Sequence, residues 1–139
     1  MTRLIFVDTS AFISRYVVED QFHAAAVAEH ENLMRSGCHY VTSNYVFDEM
    51  VTRVQRLAGH GVARQAGDLV LQHPSLLHRR IDERLEREAW KLHLKFSDQP
   101  LSFTDVTSVA LMRDMSIREI FSFDSDFDRV GLVRLPAAR

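Results

Sequence analysis

The residues able to do chemistry in this chain are acids placed just beyond short apolar runs. Asp8 ends the run Leu4-Ile5-Phe6-Val7. Glu49 lies in a helical stretch after the strand-like His39-Tyr40-Val41-Thr42. Asp105 follows Leu101-Ser102-Phe103-Thr104, and Asp124, Asp126 and Asp128 follow Glu119-Ile120-Phe121-Ser122-Phe123. Open parallel sheets bind their ligands beyond the carboxyl ends of the strands. Carboxylates gathered there repel one another unless a hard, oxygen-preferring cation sits among them. The pattern implies a Mg²⁺ or Mn²⁺ site and phosphodiester chemistry.

Each acid also has a plainer reading. Asp8, in Val7-Asp8-Thr9-Ser10, is a good helix cap, although one cap suffices and two hydroxyls follow it. Ser10 could then orient a carboxylate or a metal-bound water. Asp48 and Glu49 lie equally far from the apolar stripe of their helix, so periodicity does not choose between them. Glu49 is one turn from Arg53, a spacing that suits an ordinary ion pair. Ser102 and Asp105 have the spacing of a capping box. Asp124-Ser125-Asp126-Phe127-Asp128 is not a calcium loop of the EF-hand kind, because Arg129 and Leu135 stand where Gly and Glu are needed. Three acids in one turn after a buried strand still favour at least one serving a metal.

The elements that must position these acids follow from periodicity and punctuation. Apolar runs predict strands over 3–7, 39–42, 76–81, 118–123 and 131–135. Helices are predicted over 10–17 with Thr9-Ser10 as cap, and over 21–36 with Phe22, Ala25, Ala26, Ala28, Leu33 and Met34 in an apolar band. A helix over 44–58 carries the stripe Val46, Met50, Val54 and Leu57 and is capped by Ser43-Asn44. Others span 62–72, between Gly61 and Pro74, then 82–96 with Leu85, Ala89, Leu92 and Phe96 on one face, and 103–114. Strands alternating with helices imply a parallel α/β sheet with helices on both faces.

Bulk properties narrow the rest. At 139 residues with 46 % hydrophobic content and no Ser/Gly-rich linker, the chain is expected to form one domain over 1–139. The single Cys38 excludes an internal disulfide and fits a reducing compartment. No apolar run approaches the roughly 20 residues that span a bilayer, and position 1 leads into a strand rather than a signal peptide. A soluble, cytoplasmic protein without membrane contact is expected. The formal net charge of −2 argues against coating nucleic acid by electrostatics alone, but not against an enzyme acting on it. The seven histidines include no His-x-x-x-His pair, there is no Gly-x-Ser-x-Gly elbow, and no Gly-rich phosphate loop is present. Arg79, Arg80, Arg84 and Arg87 read best as a solvated face paired with Glu83, Glu86 and Glu88. Trp90 belongs either to the core or to a homodimer surface.

Singly these signals are weak; their joint order is specific. The chain resembles PIN-domain ribonucleases, and more narrowly the VapC-type toxins of bacterial toxin–antitoxin pairs, over nearly its whole length. Val7-Asp8-Thr9-Ser10-Ala11 resembles the family's first motif, Val46-Phe47-Asp48-Glu49 the second, Leu101-Ser102-Phe103-Thr104-Asp105 the third, and Phe121-Ser122-Phe123-Asp124-Ser125-Asp126-Phe127 the fourth. The resemblance implies a three-layer α/β/α fold with a short, mostly parallel central sheet. It selects Glu49 over Asp48, and it makes Asp8, Glu49, Asp105 and Asp124 the catalytic and metal-binding acids, with Asp126 beside the metal. Ser10, Ser102 and Ser122 become supporting residues. It further implies an endoribonuclease using one or two Mg²⁺ (or Mn²⁺), a structured RNA substrate such as tRNA or rRNA, a homodimer, and a cognate antitoxin that blocks the acidic groove. The rival readings are a structure-specific DNA nuclease with the same metals and a non-catalytic PIN module that binds RNA or a partner.

Overall fold

Strand β1 (Leu4–Val7) lies at the centre of the sheet in a computed structural model that describes residues 2–137. It pairs in parallel with β2 (His39–Ser43) on one side and β4 (Glu119–Phe121) on the other. A strand paired at both edges and covered on both faces must be apolar throughout. Ile5, Phe6 and Val7 accordingly expose no surface. β3 (Leu76–Arg79) adds to β2 and β5 (Val133–Leu135) adds to β4, giving the order β3-β2-β1-β4-β5 with every pairing parallel. The sheet expected to be mostly parallel is wholly so.

Parallel neighbours need crossover connections, and helices supply them. α1 (Thr9–Tyr16) and α2 (His23–Arg35) carry the chain from β1 to β2. α3 (Asn44–Ala58) and α4 (His60–Gln72) join β2 to β3, while α5 (Glu83–Lys95) and α6 (Phe103–Asp114) join β3 to β4. The result is a three-layer α/β/α arrangement. α5 and α6 form an antiparallel pair. Arg84 in the first turn of α5 bonds Asp114 at the end of α6, while Trp90 and His93, farther along α5, lie against Phe103 at the start of α6.

Several element boundaries differ from expectation for identifiable reasons. α1 is capped by Asp8 and not by Thr9-Ser10, because the Asp8 side chain accepts from the Ser10 backbone N–H. α2 starts at His23, and Ala25 and Ala28 face solvent; only Ala26 and Leu33 of it are buried, since alanine suits either side of a helix. The stripe of α3 holds through Val46, Met50 and Val54, but Leu57 is 60 % exposed. Gly61 lies inside α4, not before it; Gly59, at φ +93 and ψ 168, is the joint between α3 and α4. β3, β4 and β5 are each shorter than predicted. Residues 1, 138 and 139 of the expected single domain lie outside the described residues.

The core contains one polar inclusion. Tyr40 of β2 is fully buried, with His30 and His73 flanking its ring at centroid distances of 5.7 and 5.8 Å. Burial, aided by the Arg15 guanidinium, pushes His30 down to about 4, so its ring is neutral at pH 7. Burial also raises the Tyr40 hydroxyl, which keeps its proton and shares a 2.9 Å hydrogen bond with His30 Nδ1. Cys38 is buried, and its thiol donates to the Leu33 carbonyl as a packed residue would. No helix of the described residues is long and apolar enough to cross a membrane.

Candidate active site

The site begins where β1 becomes α1. Asp8 has an extended backbone, φ −82 and ψ 161, and its backbone N–H donates to the Phe121 carbonyl at the end of β4. Its side chain is almost completely buried, at 3 % exposure. A buried carboxylate needs partners, and two hydroxyls supply them. Ser10 Oγ donates to Asp8 Oδ2 at 2.8 Å, and Ser122 Oγ donates to the same oxygen at 2.9 Å. The Ser10 backbone N–H adds a longer bond of 3.3 Å.

The serines are themselves held by backbone. Phe123 N–H donates to Ser10 Oγ at 2.9 Å, and Asp124 N–H donates to Ser122 Oγ at 3.0 Å. A hydroxyl has one proton. With its oxygen accepting from an amide, each serine turns that proton toward Asp8, so the 3.1 Å contact between the two Oγ atoms carries no proton of its own. Residues 8–10 and 122–124, far apart in sequence, are thereby one hydrogen-bonded unit. The Thr9 side chain takes no part: its Oγ1 is buried without a partner among the described residues.

Asp105 arrives from the first turn of α6. Ser102 is the N-cap, its Oγ accepting from Asp105 N–H at 3.1 Å while Asp105 Oδ2 accepts from Ser102 N–H at 3.0 Å. The capping box read from the sequence is therefore present, and it aims the acid. Burial raises the Asp105 carboxyl first, and the charges of Asp8 and Asp124 raise it further, to about 7. Asp8 is raised by burial against the opposing pull of the two serines. Asp124 is raised mainly by burial and also by the Asp126 carboxylate. Asp105 thus feels both of the other two acids.

The other acids divide differently. Asp124 caps the 3₁₀ turn Ser125–Val130, its Oδ1 accepting from Asp126 N–H at 2.9 Å. Asp126 is half-buried beside it. Asp128 is spent elsewhere, both of its oxygens accepting from the Arg134 guanidinium of β5, at 3.1 and 3.3 Å. Glu49 is half-buried in the second turn of α3, whereas Asp48 is exposed. Among the described residues no hydrogen bond or ion pair joins Glu49 to the three aspartates, and the suggested pair with Arg53 is absent. Arg53, one turn along the same side of α3, lines a cleft of about 360 Å³ together with Ser10, Asp20, Phe22, Phe123 and Asp124.

The cleft's other walls were not read from the sequence. Asp20 Oδ2 accepts from Ser14 Oγ at 2.8 Å and from Phe22 N–H at 2.9 Å, which bends the α1–α2 link over the site. Phe22 stacks on Phe123 at 4.9 Å. The only local signal was an Asp two residues before an aromatic, a common turn pattern.

Among the described residues, no three Asp, Glu, His or Cys side chains stand close enough to hold an ion as they are. One oxygen each of Asp8, Asp105 and Asp124 is turned toward a local donor. The donor set nonetheless suits a hard divalent cation. All three are carboxylates, Asp8 and Asp124 raise the proton affinity of Asp105, and no Lys or Arg ion pair neutralises any of them among the described residues.

Comparison with known proteins adds to this geometry. Residues 5–132 match the family model described as PIN domain. The chain is 32 % identical over 133 residues to the 23S rRNA-specific endonuclease VapC20 of Mycobacterium tuberculosis, in both strain CDC 1551 and strain H37Rv, covering 95 % of this chain and 98 % of the relative. The crystal structure of M. tuberculosis VapC20, described as a Sarcin-Ricin loop cleaving toxin, superposes with a TM-score of 0.83 at 32 % identity, over 93 % of this chain and 96 % of that one. VapBC2 from Rickettsia felis, bound to a fragment of its promoter DNA, superposes with a TM-score of 0.68 over 94 % of this chain and 96 % of that chain; at 10 % identity it speaks for the fold alone. With the first acid at the end of the central strand, the third in a capping box, and the fourth on the turn after β4, the chain belongs to the PIN-domain family, on its VapC-type branch.

Proposed function

We propose that this chain is a metal-dependent endoribonuclease and the toxin of a toxin–antitoxin pair, with Asp8, Glu49, Asp105 and Asp124 as its catalytic acids. The observation that carries the reading is the common elevation of Asp8, Asp105 and Asp124 by burial at the carboxyl edge of the sheet, with Asp105 raised further by the charges of the other two. Structural ion pairing lowers carboxyl pKa values; here three carboxyls are raised together, a marker of a functional cluster. The relative's 23S rRNA specificity favours ribosomal RNA among the structured substrates.

Asp8, Asp105 and Asp124 would hold Mg²⁺, with Glu49 and Asp126 at its periphery; Mn²⁺ satisfies the same oxygens. A bound divalent cation supplies a water of lowered pKa and offsets charge growing on the phosphate and leaving oxygen. The chain's own contributions are positional. Ser10 and Ser122 fix the Asp8 carboxylate and keep it an acceptor. The capping box fixes the backbone under Asp105. Asp124, bonded through its own amide to Ser122, moves as one piece with Asp8. Arg53 offers a cation on the cleft wall where a phosphate would pass. A homodimer, a cytoplasmic setting and an antitoxin that covers these acids complete the reading.

The deciding experiment is a pair of digests. Purified protein with Mg²⁺ should cut labelled ribosomal RNA and leave DNA of the same sequence whole, and Asp8→Asn should cut neither. DNA cleavage at equal rate would replace the ribonuclease reading. Cleavage unaffected by Asp8→Asn would remove the site.

A further inference from the structure

The acid site is bordered by a row of aromatic rings that its carboxylates do not explain. Phe103 opens α6, two residues before Asp105. Tyr45, two residues beyond the end of β2, packs on Phe103 at 6.1 Å. From α5, His93 and Trp90 reach the same ring at 6.2 and 6.4 Å. Trp90 and His93 stack on each other, centroids 5.6 Å apart and planes within 19°. The Tyr45 hydroxyl donates to Glu86, which fastens α3 to α5 beneath the row.

The row ends in the open. Trp90 is 54 % exposed, so a ring that a core would bury presents much of its surface to solvent. Two cations stand near the other end of the row, where Arg79 and Arg80 line a cleft with Asn44, the neighbour of Tyr45. Asn44 Oδ1 accepts from Ile81 N–H at 2.6 Å, which ties the segment carrying Arg79 and Arg80 to the residue before Tyr45. Both arginines are exposed and form no ion pair among the described residues, whereas Arg84 and Arg87 are paired with Asp114 and Glu83. The basic stretch read as one solvated, paired face is therefore split: its helical half is neutralised and its strand-end half is free.

We infer that Trp90, His93 and Phe103 form a stacking platform for the unpaired bases of an RNA strand, whose phosphates run past Arg79 and Arg80 toward Asp105. The inference rests on the ribonuclease reading of the acid site and adds to it the device that seats the strand. Rings stack on bases of any sequence, and cations meet the backbone, so rings beside free arginines suit a splayed single strand and not a duplex, whose bases are closed to both faces. The row continues directly into the turn that carries Asp105, which a surface made for another purpose would not need to do.

Trp90 is the only tryptophan in the chain, so its emission reports this face alone. With divalent cation withheld so that nothing is cut, a short single-stranded RNA at low ionic strength should quench Trp90 emission, and the blunt duplex of the same sequence should not. Fluorescently labelled RNA should bind Trp90→Leu roughly tenfold more weakly and Trp90→Phe nearly as well as wild type, while all three proteins melt alike. Binding without cleavage on later addition of Mg²⁺ would support the platform and sink the nuclease reading. Three outcomes overturn the platform: unchanged emission at RNA saturation, equal affinity in Trp90→Leu, or a dimer-to-monomer change in Trp90→Leu with no quenching of wild type, which would assign the face to a second copy.

Discussion

Asp105 is the residue whose chemistry is most exposed to measurement. Its carboxyl titrates near 7 in the folded chain, against about 3.8 for an ordinary aspartate. The folded state thus holds its proton more tightly than the unfolded state does, and the unfolded state ionises first. Stability should fall as pH rises from about 4 to about 7 and level off above. Metal-free protein should melt at higher temperature at pH 5.5 than at pH 8, and Asp105→Asn should flatten that difference. Mg²⁺ at pH 8 should restore the wild-type melting temperature by binding only the folded state, with Asp8→Asn losing most of the gain. Equal shifts in wild type and Asp8→Asn would refute the metal assignment. The acids after β4 should rank by their partners. Asp124→Asn should abolish cleavage, Asp126→Asn should impair it less, and Asp128→Asn least, because Asp128 already serves Arg134. The order is read by initial rates on one labelled RNA.

At the scale of elements, caps and joints hold the site in register. Ser122→Ala deletes one of two hydroxyl bonds to a buried carboxylate and leaves the Asp124 amide without its acceptor. It should cost about 1–3 kcal/mol in urea unfolding and lower the cleavage rate as well. Gly59 holds a conformation open to essentially no other residue, so Gly59→Ala should cost about 1–3 kcal/mol with little loss of specific activity in the folded fraction. Much of this level was legible beforehand. The apolar run of β1, the Ser43 and Ser102 caps and the stripe of α3 are local signals with local causes. The Leu57 error came from extending a stripe past the point where its helix still meets the core. The choice of Glu49 over Asp48 lay outside local pattern altogether. The Ser10–Asp8–Ser122 unit was equally invisible as geometry, because its members meet only once β4 lies beside β1, and sheet order is not written in spacing.

The whole molecule supports a biological test. Expressed alone in bacteria, the chain should arrest growth with fragmented RNA, and Asp105→Asn should be harmless at equal soluble level. An antitoxin should relieve the arrest by bringing an Arg or Lys to the same unbalanced carboxylates. Arrest that persists in Asp105→Asn would trace toxicity to aggregation or simple binding. The three-layer fold makes this economical: one edge of one parallel sheet gathers the acids, and the helices behind it are otherwise free to carry rings and arginines.

The bond between Ser122 and Asp8 also has a meaning in time. A chain leaves the ribosome from its amino end, so Asp8 and Ser10 emerge first and wait for more than a hundred residues before Ser122 and Asp124 exist to complete their pocket. Any fragment ending before β4 lacks a neighbour for one side of β1 and half the partners of its first acid. On the nascent chain the acid site therefore stays unassembled until β4 has emerged. A central strand made well before its second partner sets an order in time on the assembly of the site.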